Sequence, residues 1–246
     1  MRRSDMNNEY RLSVVFCAVN ESNSLTNAFR KISSYDKAFE YLFVLSKDAT
    51  DDCLKTVKNL CKSCSCRYII QGKNGLGTAI QEGISAVNGT HIIIWPADDG
   101  MDTDSFPQMA DLSEANPKSI VTVSRWLEKD GFVGYGRIRK LINGISQKLF
   151  AFLYCSDLTD YTNPTQIAPV NLYRNIKWQG ASFDLIPEMT FKPLKLGCDF
   201  IEVPCKNLKR NEGASNSSFF QLIKYYLVIF KILFMKKKDI TVSVNN

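Results

Sequence analysis

HIIIWPADDGMDTD, residues 91–104, is the stretch of this 246-residue chain that decides the fold. Its first five residues predict a buried strand, and they include His91, the one histidine of the chain. Four carboxylates follow within seven residues, at Asp98, Asp99, Asp102 and Asp104. Repulsion at that density is usually relieved by a cation, and hard oxygen ligands suit Mg²⁺ or Mn²⁺. The stretch therefore predicts a strand that ends in a metal-binding loop, with an exposed acidic turn as the alternative.

The residues before this stretch alternate short apolar runs with helical patterns. We predict strands over 12–19, 41–45 and 67–70, and helices over 24–33, 51–62 and 76–87. This β-α-β-α-β-α-β order is typical of a mostly parallel, Rossmann-like sheet flanked by helices, so the fold class is α/β. The pattern after Asp104 is looser, with strands predicted over 120–124 and 200–204 and a helix over 138–154.

Three polar loops follow predicted strands, where α/β sheets usually bind their ligands. In the first loop, Glu21 could accept hydrogen bonds from a ribose or a base edge. The alternative is that Asn20 or Ser22 caps the next helix and Glu21 complements its dipole. Thr50 and Asp51 in the second loop are equally suited to capping a helix.

The glycine-containing turn of residues 72–79 is too loose for a known phosphate-binding fingerprint. It lacks the third glycine of a dinucleotide-binding loop and the terminal Gly-Lys-Ser/Thr of a phosphate loop. A tight turn between strand and helix explains Gly75 and Gly77 equally well.

Composition restricts the partners and the compartment. The 31 basic and 25 acidic residues give a net charge of +6, which fits an anionic partner. Lys236, Lys237 and Lys238 follow an apolar stretch, which favours a membrane surface over nucleic acid. No cleavable apolar segment precedes the eight cysteines, so we expect them to be reduced thiols in the cytoplasm. For the cluster Cys61, Cys64 and Cys66, zinc binding is the weaker alternative.

Several motifs taken in order resemble the inverting family 2 glycosyltransferases. They are Val-Val-x-x-Ala-x-Asn-Glu at 14–21, Ala-Thr-Asp at 49–51, Asn-Gly-x-Gly-x-Ala at 74–79, and Ala-Asp at 97–98 after an apolar strand. Further elements are similar to the polyprenyl-phosphate mannose and glucose synthases: Ser124-Arg125, Asp160-Tyr-Thr-Asn163, Glu188, Glu202-Val-Pro204, and Arg210-x-x-Gly-x-Ser215. The resemblance covers residues 11–235, and the Arg-x-x-Gly-x-Ser element is its most specific part.

The resemblance implies a GT-A fold, a nucleotide-sugar donor, a divalent Mg²⁺ or Mn²⁺ ion, and a polyprenyl phosphate acceptor. The nucleotide-sugar site it implies consists of Ala18, Asn20, Glu21, Asp51, Gly75, Gly77, Ala97 and Asp98. The catalytic residues it implies are Asp98, Arg125, Asp160 and Arg210. The acceptor and phosphate site is Thr162, Glu188, Arg210 and Ser215, and the metal ligands are Asp98, Asp99 and Asp102.

The sequence departs from the family pattern at four places. Cys17 stands where the family usually has proline, and Ser46-Lys47 where it has an acidic pair. Pro96-Ala97-Asp98 replaces Asp-x-Asp, so Asp99 or Asp102 substitutes for the missing ligand, or Asp98 holds the metal together with donor phosphates. Asn216 replaces a lysine that commonly ends the Arg-x-x-Gly-x-Ser element.

We expect four segments: a polar tail (1–10), the GT-A domain (11–217), an amphipathic membrane-associating helix (218–238) and a C-terminal tail (239–246). The apolar run of 219–235 is shorter than the about 20 residues that span a bilayer, and it contains Lys224 and Lys231. An in-plane anchor at the inner face of a membrane is therefore expected, and a core-packed terminal helix is the alternative.

The predicted reaction is inverting transfer of a hexose to polyprenyl phosphate, in cell-surface glycan or glycolipid synthesis. One alternative is a sugar-hydroxyl acceptor in polysaccharide synthesis, with Asp160 or Glu188 as the required base. Another is a catalytically weak nucleotide-sugar-binding protein. No nucleic-acid partner is expected, and a homodimer is left open.

Overall fold

The structure, a computed structural model, describes residues 9–208 and 219–242, with side chains of Phe219 and Phe220 outside the description. Seven strands are formed: β1 (Leu12–Ala18), β2 (Glu40–Leu45), β3 (Arg67–Ile70), β4 (His91–Trp95), β5 (Ile120–Ser124), β6 (Gln166–Pro169) and β7 (Phe200–Pro204). The helices are α1 (Asn23–Ser34), α2 (Asp51–Ser63), α3 (Leu76–Ala86), α4 (Ser105–Ala115), α5 (Arg137–Tyr154), α6 (Val170–Arg174), α7 (Leu185–Leu196), α8 (Phe219–Phe234) and α9 (Lys237–Ile240).

One seven-stranded sheet runs through the protein in the order β3-β2-β1-β4-β6-β5-β7. Only β6 is antiparallel to its neighbours, β4 and β5. The carboxyl ends of the other six strands therefore share one edge of the sheet with the amino end of β6. The predicted α/β class with a mostly parallel sheet is confirmed.

Helices cover both faces of the sheet because its central strands are apolar on both sides. Phe16 and Trp95 belong to the core on the side of α1, α2 and α4, whereas Val15 and Ile92 belong to the core on the side of α3 and α7. A third core joins α5, α7 and α8 around the ring of Phe150. The sheet is thus held between two helical layers.

The elements predicted in the first half of the chain all form, and their ends differ from the predicted ends by no more than one residue. The antiparallel strand β6 and the helices α4, α6 and α7 were not predicted. Strand β6 is four residues long and ends in Pro169, so it carries no alternating pattern of its own. Its position depends on pairing with β4 and β5.

The predicted helix over 218–238 is interrupted. Helix α8 ends at Phe234, and the extended Lys236 starts α9, with its backbone N–H donating to Asp239 at 3.3 Å. Ile229 and Ile232 of α8 are fully or almost fully buried. One face of this helix therefore packs on the core, as in the alternative of a core-packed terminal helix. Within 9–208 and 219–242, no helix is both long and apolar enough to cross a bilayer.

Three smaller expectations have clear outcomes. His91 is buried, and its Nε2 lies 2.9 Å from the Pro117 carbonyl oxygen, so it serves the core. The cysteines are all free, and Cys61 and Cys66 lie 3.2 Å apart between their sulfur atoms. Tyr10, placed by the sequence in the polar tail, packs its ring 4.6 Å from that of His91.

Candidate active site

The carboxyl edge of the sheet assembles most of the residues expected in the site. Parallel pairing places Ala18 beside Leu45, and Leu45 beside Ile70. Phe16 pairs with Trp95 on the other side of β1. The loops that follow β1, β2, β3 and β4 therefore lie side by side, at the point where the strand order changes direction. Such a point is where open α/β sheets bind ligands.

The loops after β1 and β2 are bonded to one another. The N–H of Thr50 donates to the Val19 carbonyl at 2.9 Å, which brings Asp51 next to the β1 loop. Glu21 Oε2 accepts from the N–H groups of Val19 and Asn20, at 2.9 and 3.1 Å. This carboxylate thus stabilises the turn in which it lies. That role is close to the structural alternative expected for Glu21. Asn20 is exposed at the surface of that turn.

Cys17, which stands where the family has proline, is a neutral thiol. Burial and the nearby charge of Glu21 raise the pKa of Cys17 to about 12. The thiolate is the nucleophilic form of cysteine, so this thiol is unreactive at neutral pH.

Gly75 and Gly77 are required by a close approach of backbone from a distant loop. A Cβ atom on Gly75 would lie 2.2 Å from the Ala181 carbonyl oxygen, and one on Gly77 would lie 2.6 Å from that of Gly180. Gly75 also has a φ of +127°, which favours glycine. The two glycines thus let the segment 180–181 pack on the start of α3; their predicted contact with the donor stays a prediction.

The acidic loop after β4 is tightly turned. Asp98 Oδ1 accepts from the Gly100 N–H at 3.0 Å, and Asp99 adopts a φ of +53°. Asp102 Oδ1 accepts from the Asp104 N–H at 3.0 Å, and Asp104 itself accepts from the Tyr35 hydroxyl at 3.1 Å. Three of the four carboxylates thus accept hydrogen bonds from the loop itself or from Tyr35.

No group of three metal-binding side chains converges in the part of the chain that the structure describes. Asp98, Asp99 and Asp102 therefore do not form a three-carboxylate site. Asp98 is partly exposed and lies in the loop that follows β4, the neighbour of β1. The donor set fits a divalent ion only where Asp98 shares it with oxygen atoms of a bound diphosphate, which is the second arrangement expected from the sequence.

Arg125 and Asp160 form a buried bidentate ion pair. Arg125 Nε lies 2.7 Å from Asp160 Oδ2, and its Nη2 lies 2.8 Å from Oδ1 and 2.7 Å from Thr162 Oγ1. Burial lowers the pKa of Arg125, but the hydrogen bonds and charge of Asp160 outweigh it and leave that pKa raised. The rings of Phe132 and Tyr135 cover the guanidinium at 5.1 and 5.9 Å. The structure thus brings together three predicted site residues, Arg125, Asp160 and Thr162, which are hydrogen-bonded to one another.

Two residues of α5 that were not predicted complete this cluster. Asn143 Nδ2 and Gln147 Nε2 donate to Thr162 Oγ1 at 3.1 and 3.2 Å. The Trp126 indole donates to Asn143 Oδ1 at 3.2 Å. Their signal in the sequence is the spacing of four, which places two amides on one face of a helix.

Glu202 stabilises the loop that carries Asp160. Its carboxylate accepts from the N–H groups of Thr159 and Asp160, at 2.8 and 3.0 Å. Burial raises the pKa of Glu202 despite these bonds. The Glu-Val-Pro element therefore positions the loop that carries Asp160.

Glu188 lies apart from this cluster, at the first turn of α7. It is 2% exposed and accepts from the N–H groups of Gln179 and Gly180, both at 2.9 Å, and from Lys192 Nζ at 2.7 Å. Burial lowers the pKa of Lys192 despite this ion pair. In this arrangement Glu188 holds the segment that packs on Gly75 and Gly77; its predicted contact with the acceptor stays a prediction.

Arg210 and Ser215 lie outside the described residues. The chain enters their segment from the acidic loop, because the N–H of Leu208 donates to the Gly100 carbonyl at 2.8 Å. Asn207 forms bridges with Met101 and with Phe132. The two residues before Lys209 thus lie between the acidic loop and the aromatic loop that covers Arg125.

The fold matches solved glycosyltransferases. Glucosyl-3-phosphoglycerate synthase from Mycobacterium tuberculosis, in complex with Mn²⁺, UDP and phosphoglyceric acid, superposes with a TM-score of 0.68 at 15% identity, over 92% of this chain and 80% of that one. The same enzyme with Mn²⁺, UDP-glucose and phosphoglyceric acid gives 0.66 at 14% identity, over 91% and 80%. Its complex with Mg²⁺ and UDP gives 0.67 at 16% identity, over 91% and 78%. This likeness confirms the GT-A fold.

The glycosyl transferase family 2 model matches residues 13–176, about two thirds of the chain. The matched region contains the four loops at the carboxyl edge, of which the acidic loop is one, and the Arg125–Asp160 pair. The chain is a glycosyltransferase and belongs to glycosyl transferase family 2.

Proposed function

We propose that this glycosyltransferase moves a hexose from a nucleotide sugar to a polyprenyl phosphate, with inversion at the anomeric carbon. The observation that carries the acceptor is a groove of about 670 Å³ beside the Arg125–Asp160 cluster. Trp126, Gly144, Ala151 and Leu158 give it an apolar floor. Arg137, Lys140 and Lys148 line it as well, and none of the described residues that line it is acidic. An apolar trough with cations suits a lipid that carries a phosphate.

The donor is proposed to bind in the crevice between the carboxyl ends of β1 and β4. Ala18, Asn20, Glu21 and Asp51 would border the nucleoside, and Ala97 and Asp98 would face the diphosphate. Gly75 and Gly77 are proposed to contact the donor through backbone atoms only. The related synthase binds UDP and UDP-glucose together with Mn²⁺.

Asp98 would hold Mg²⁺ or Mn²⁺ together with the donor diphosphate. When bound there, the ion offsets the negative charge that develops on the leaving group. Asp99 and Asp102 are proposed to assist metal binding indirectly, by maintaining the conformation of the acidic loop.

The chemistry requires positioning rather than a strong base. An oxygen of the acceptor phosphate is already anionic at neutral pH, so it can form the new bond to the anomeric carbon directly. The bond from that carbon to the donor diphosphate breaks, and the diphosphate leaves with the electron pair. Arg210 and Ser215 would bind phosphate, and the bonds of Arg125, Asp160 and Thr162 fix the wall beside the acceptor.

A sugar-hydroxyl acceptor fits the site less well. Such an acceptor needs a base, and both oxygens of Asp160 accept from Arg125. Glu188 accepts from two backbone N–H groups and Lys192. Both candidate bases are thus engaged in holding the structure.

Transfer assays with three acceptors test the proposal. UDP-, GDP- and dTDP-hexoses are incubated with Mn²⁺ and with a polyprenyl phosphate, 3-phosphoglycerate or an oligosaccharide. We expect mass spectrometry to detect a hexosyl phospholipid, and NMR to show an inverted anomeric centre. Glycosylated 3-phosphoglycerate or oligosaccharide alone would contradict the acceptor. Donor binding without transfer or hydrolysis would favour a non-catalytic protein.

The acceptor also determines where the enzyme works. Polyprenyl phosphates reside in membranes, so the proposal includes peripheral association with the inner face of a membrane. Helix α8 was expected to provide it, yet Lys237 Nζ donates to the Leu196 carbonyl at 2.9 Å and Lys231 Nζ to Gln179 Oε1 at 2.9 Å. Two of the lysines in this expected membrane-associating segment are therefore engaged with the protein.

A further inference from the structure

Helix α5 has an unusual distribution of polar and apolar side chains. Its buried residues are Ser146, Gln147 and Phe150, of which two are polar. Its outer side is apolar, with exposed fractions that reach 76% at Ile138 and 80% at Phe152. The outward stripe consists of Ile138, Leu141, Ile142, Ile145, Leu149 and Phe152. Their spacing of three and four residues keeps them on one face of the helix.

Helix α8 presents a second stripe next to the first. Its exposed apolar residues are Leu222, Ile223, Leu227, Phe230 and Phe234. The helices touch where Ser146 Oγ lies 2.6 Å from the Tyr226 hydroxyl. Ile142 lies one turn before Ser146 on α5, and Phe230 lies one turn after Tyr226 on α8. The two stripes lie on helices joined by this contact, and we call their exposed apolar residues together the α5–α8 apolar face.

This face holds most of the exposed apolar bulk of the protein. Eighteen large apolar side chains are exposed in the described residues, of which six lie on α5 and five on α8. Exposed apolar side chains scattered singly are ordinary, but six on one face of a single helix, as on α5, are typical of an interaction surface.

The charges around the face identify the partner. Helix α5 carries Arg137, Arg139, Lys140 and Lys148, all exposed, and its sequence contains no acidic residue. Helix α8 carries only lysines among its charged residues. A second copy docked by the same face would bring these cations together, which disfavours a symmetric dimer. Anionic headgroups above an apolar layer complement both features.

We propose that the α5–α8 apolar face docks flat on an anionic lipid bilayer, with α5 as its principal contact. Leu141 and Ile145 belong both to this face and to the lining of the acceptor groove. Docking would therefore open the groove directly to the lipid layer. The inference rests on the proposed function only in this last respect, the delivery of a lipid acceptor.

Vesicle sedimentation of the full-length chain tests the docking. The double variant Ile138→Ser/Phe152→Ser changes two highly exposed residues outside the groove lining. We expect it to bind phosphatidylglycerol-containing vesicles roughly tenfold more weakly or worse, since fully burying one such side chain corresponds to about that factor. Phe39→Ser is the matched control: Phe39 is 52% exposed but precedes β2 at the opposite edge of the sheet, and binding should not change.

Three results would overturn the docking: no binding of the parent to anionic vesicles, equal binding of the double variant, or a dimer seen by light scattering that the double variant dissociates. A separate assay keeps the enzymatic proposal distinct. Transfer to a short, water-soluble isoprenyl phosphate should be equal in parent and double variant. Absence of that transfer in both proteins would contradict the proposed reaction and leave the vesicle result decisive for docking.

Discussion

Arg125 and Asp160 are 35 residues apart in the chain, and their side chains form a two-bond ion pair in which Asp160 is 1% exposed. The family resemblance implies a catalytic role for both residues, and that role stays a prediction. In the structure the pair ties the end of β5 to the loop before β6. That loop also carries Thr162, whose Oγ1 lies 2.7 Å from Arg125 Nη2, so the pair fixes the position of Thr162 as well.

Asp160→Asn should destabilise the fold severely. Removing one partner of a buried ion pair leaves the other charge uncompensated, at a cost of about 3 to 5 kcal/mol in the free energy of unfolding. Urea unfolding measures it. Asp111→Asn is the matched control, since Asp111 pairs with Lys37 at an exposed site and should change stability by less than about 1 kcal/mol. Equal effects at the two sites would contradict a structural role for the Arg125 pair.

Gly77→Ala should lower the free energy of unfolding by roughly 1 to 3 kcal/mol, the usual cost of overpacking. The new Cβ would meet the Gly180 carbonyl oxygen at 2.6 Å, although alanine is the better helix former. Gly136→Ala is the control, because nothing lies within 4 Å of the added Cβ there. Weaker nucleotide binding by Gly77→Ala without any loss of stability would instead favour direct contact with the donor.

The first four strands could be predicted because each is a compact apolar run closed by polar residues. Strand β6 could not, since Gln166–Pro169 becomes a strand only through its neighbours. The glycines at 75 and 77 were visible in the sequence, but the backbone they approach lies about a hundred residues later. A single sequence does not reveal which segments, far apart in the chain, have backbones in close contact.

The period of α5 was visible, but its orientation was not. An apolar stripe predicts which residues share a face, and the usual inference is that this face meets the core. Here Gln147 and Asn143 point inward, because Thr162 and Trp126 provide hydrogen-bond partners there. The site thus explains both the polar interior of this helix and its apolar exterior.

Glu40→Gln should destabilise the protein at neutral pH and much less in acid. Burial raises the pKa of Glu40, but hydrogen bonds from Ser13, Asn88 and Arg67 outweigh it, so the pKa is lowered in the fold. A lowered pKa contributes stability above the unfolded value, near 4.3, and loses it as pH falls through the folded value.

Thermal unfolding of both proteins between about pH 7 and pH 3 measures this effect. The difference between them should shrink across the acid part of that window. The exposed Glu114→Gln serves as control, with a small difference at every pH. A difference between Glu40→Gln and the parent that stays constant with pH would rule out the linkage.

Asp98→Asn should abolish the metal-dependent part of donor binding while the fold is retained. Asparagine keeps the hydrogen bond from Gly100 but lacks the charge that a divalent ion needs. Calorimetry with Mn²⁺ should show a loss of roughly tenfold or more in donor affinity, the scale seen when even an outer partner of a metal ligand is removed. With the ion chelated, variant and parent should bind alike.

The neighbouring carboxylates provide graded controls for Asp98. Asp99→Asn keeps a residue type that tolerates positive φ, and it and Asp102→Asn should each weaken binding less. Asp104→Asn should have no effect, because Asp104 bonds to Tyr35 away from the crevice. Equal donor affinity for Asp98→Asn and the parent would refute its assignment as metal ligand.

Arg210→Ala should slow transfer to polyprenyl phosphate by an amount that corresponds to about 2 to 4 kcal/mol of transition-state stabilisation. The chain leaves the acidic loop at Leu208, whose N–H bonds to the Gly100 carbonyl, and Arg210 is two residues further along the sequence. The measured quantity is kcat/KM with a short isoprenyl phosphate. Lys206→Ala is the control: Lys206 is partly exposed and its Nζ lies 3.8 Å from Glu128 Oε1, and its loss should leave kcat/KM nearly unchanged. If Arg210→Ala turns over as fast as Lys206→Ala, Arg210 is a surface charge and the phosphate must be bound by other cations.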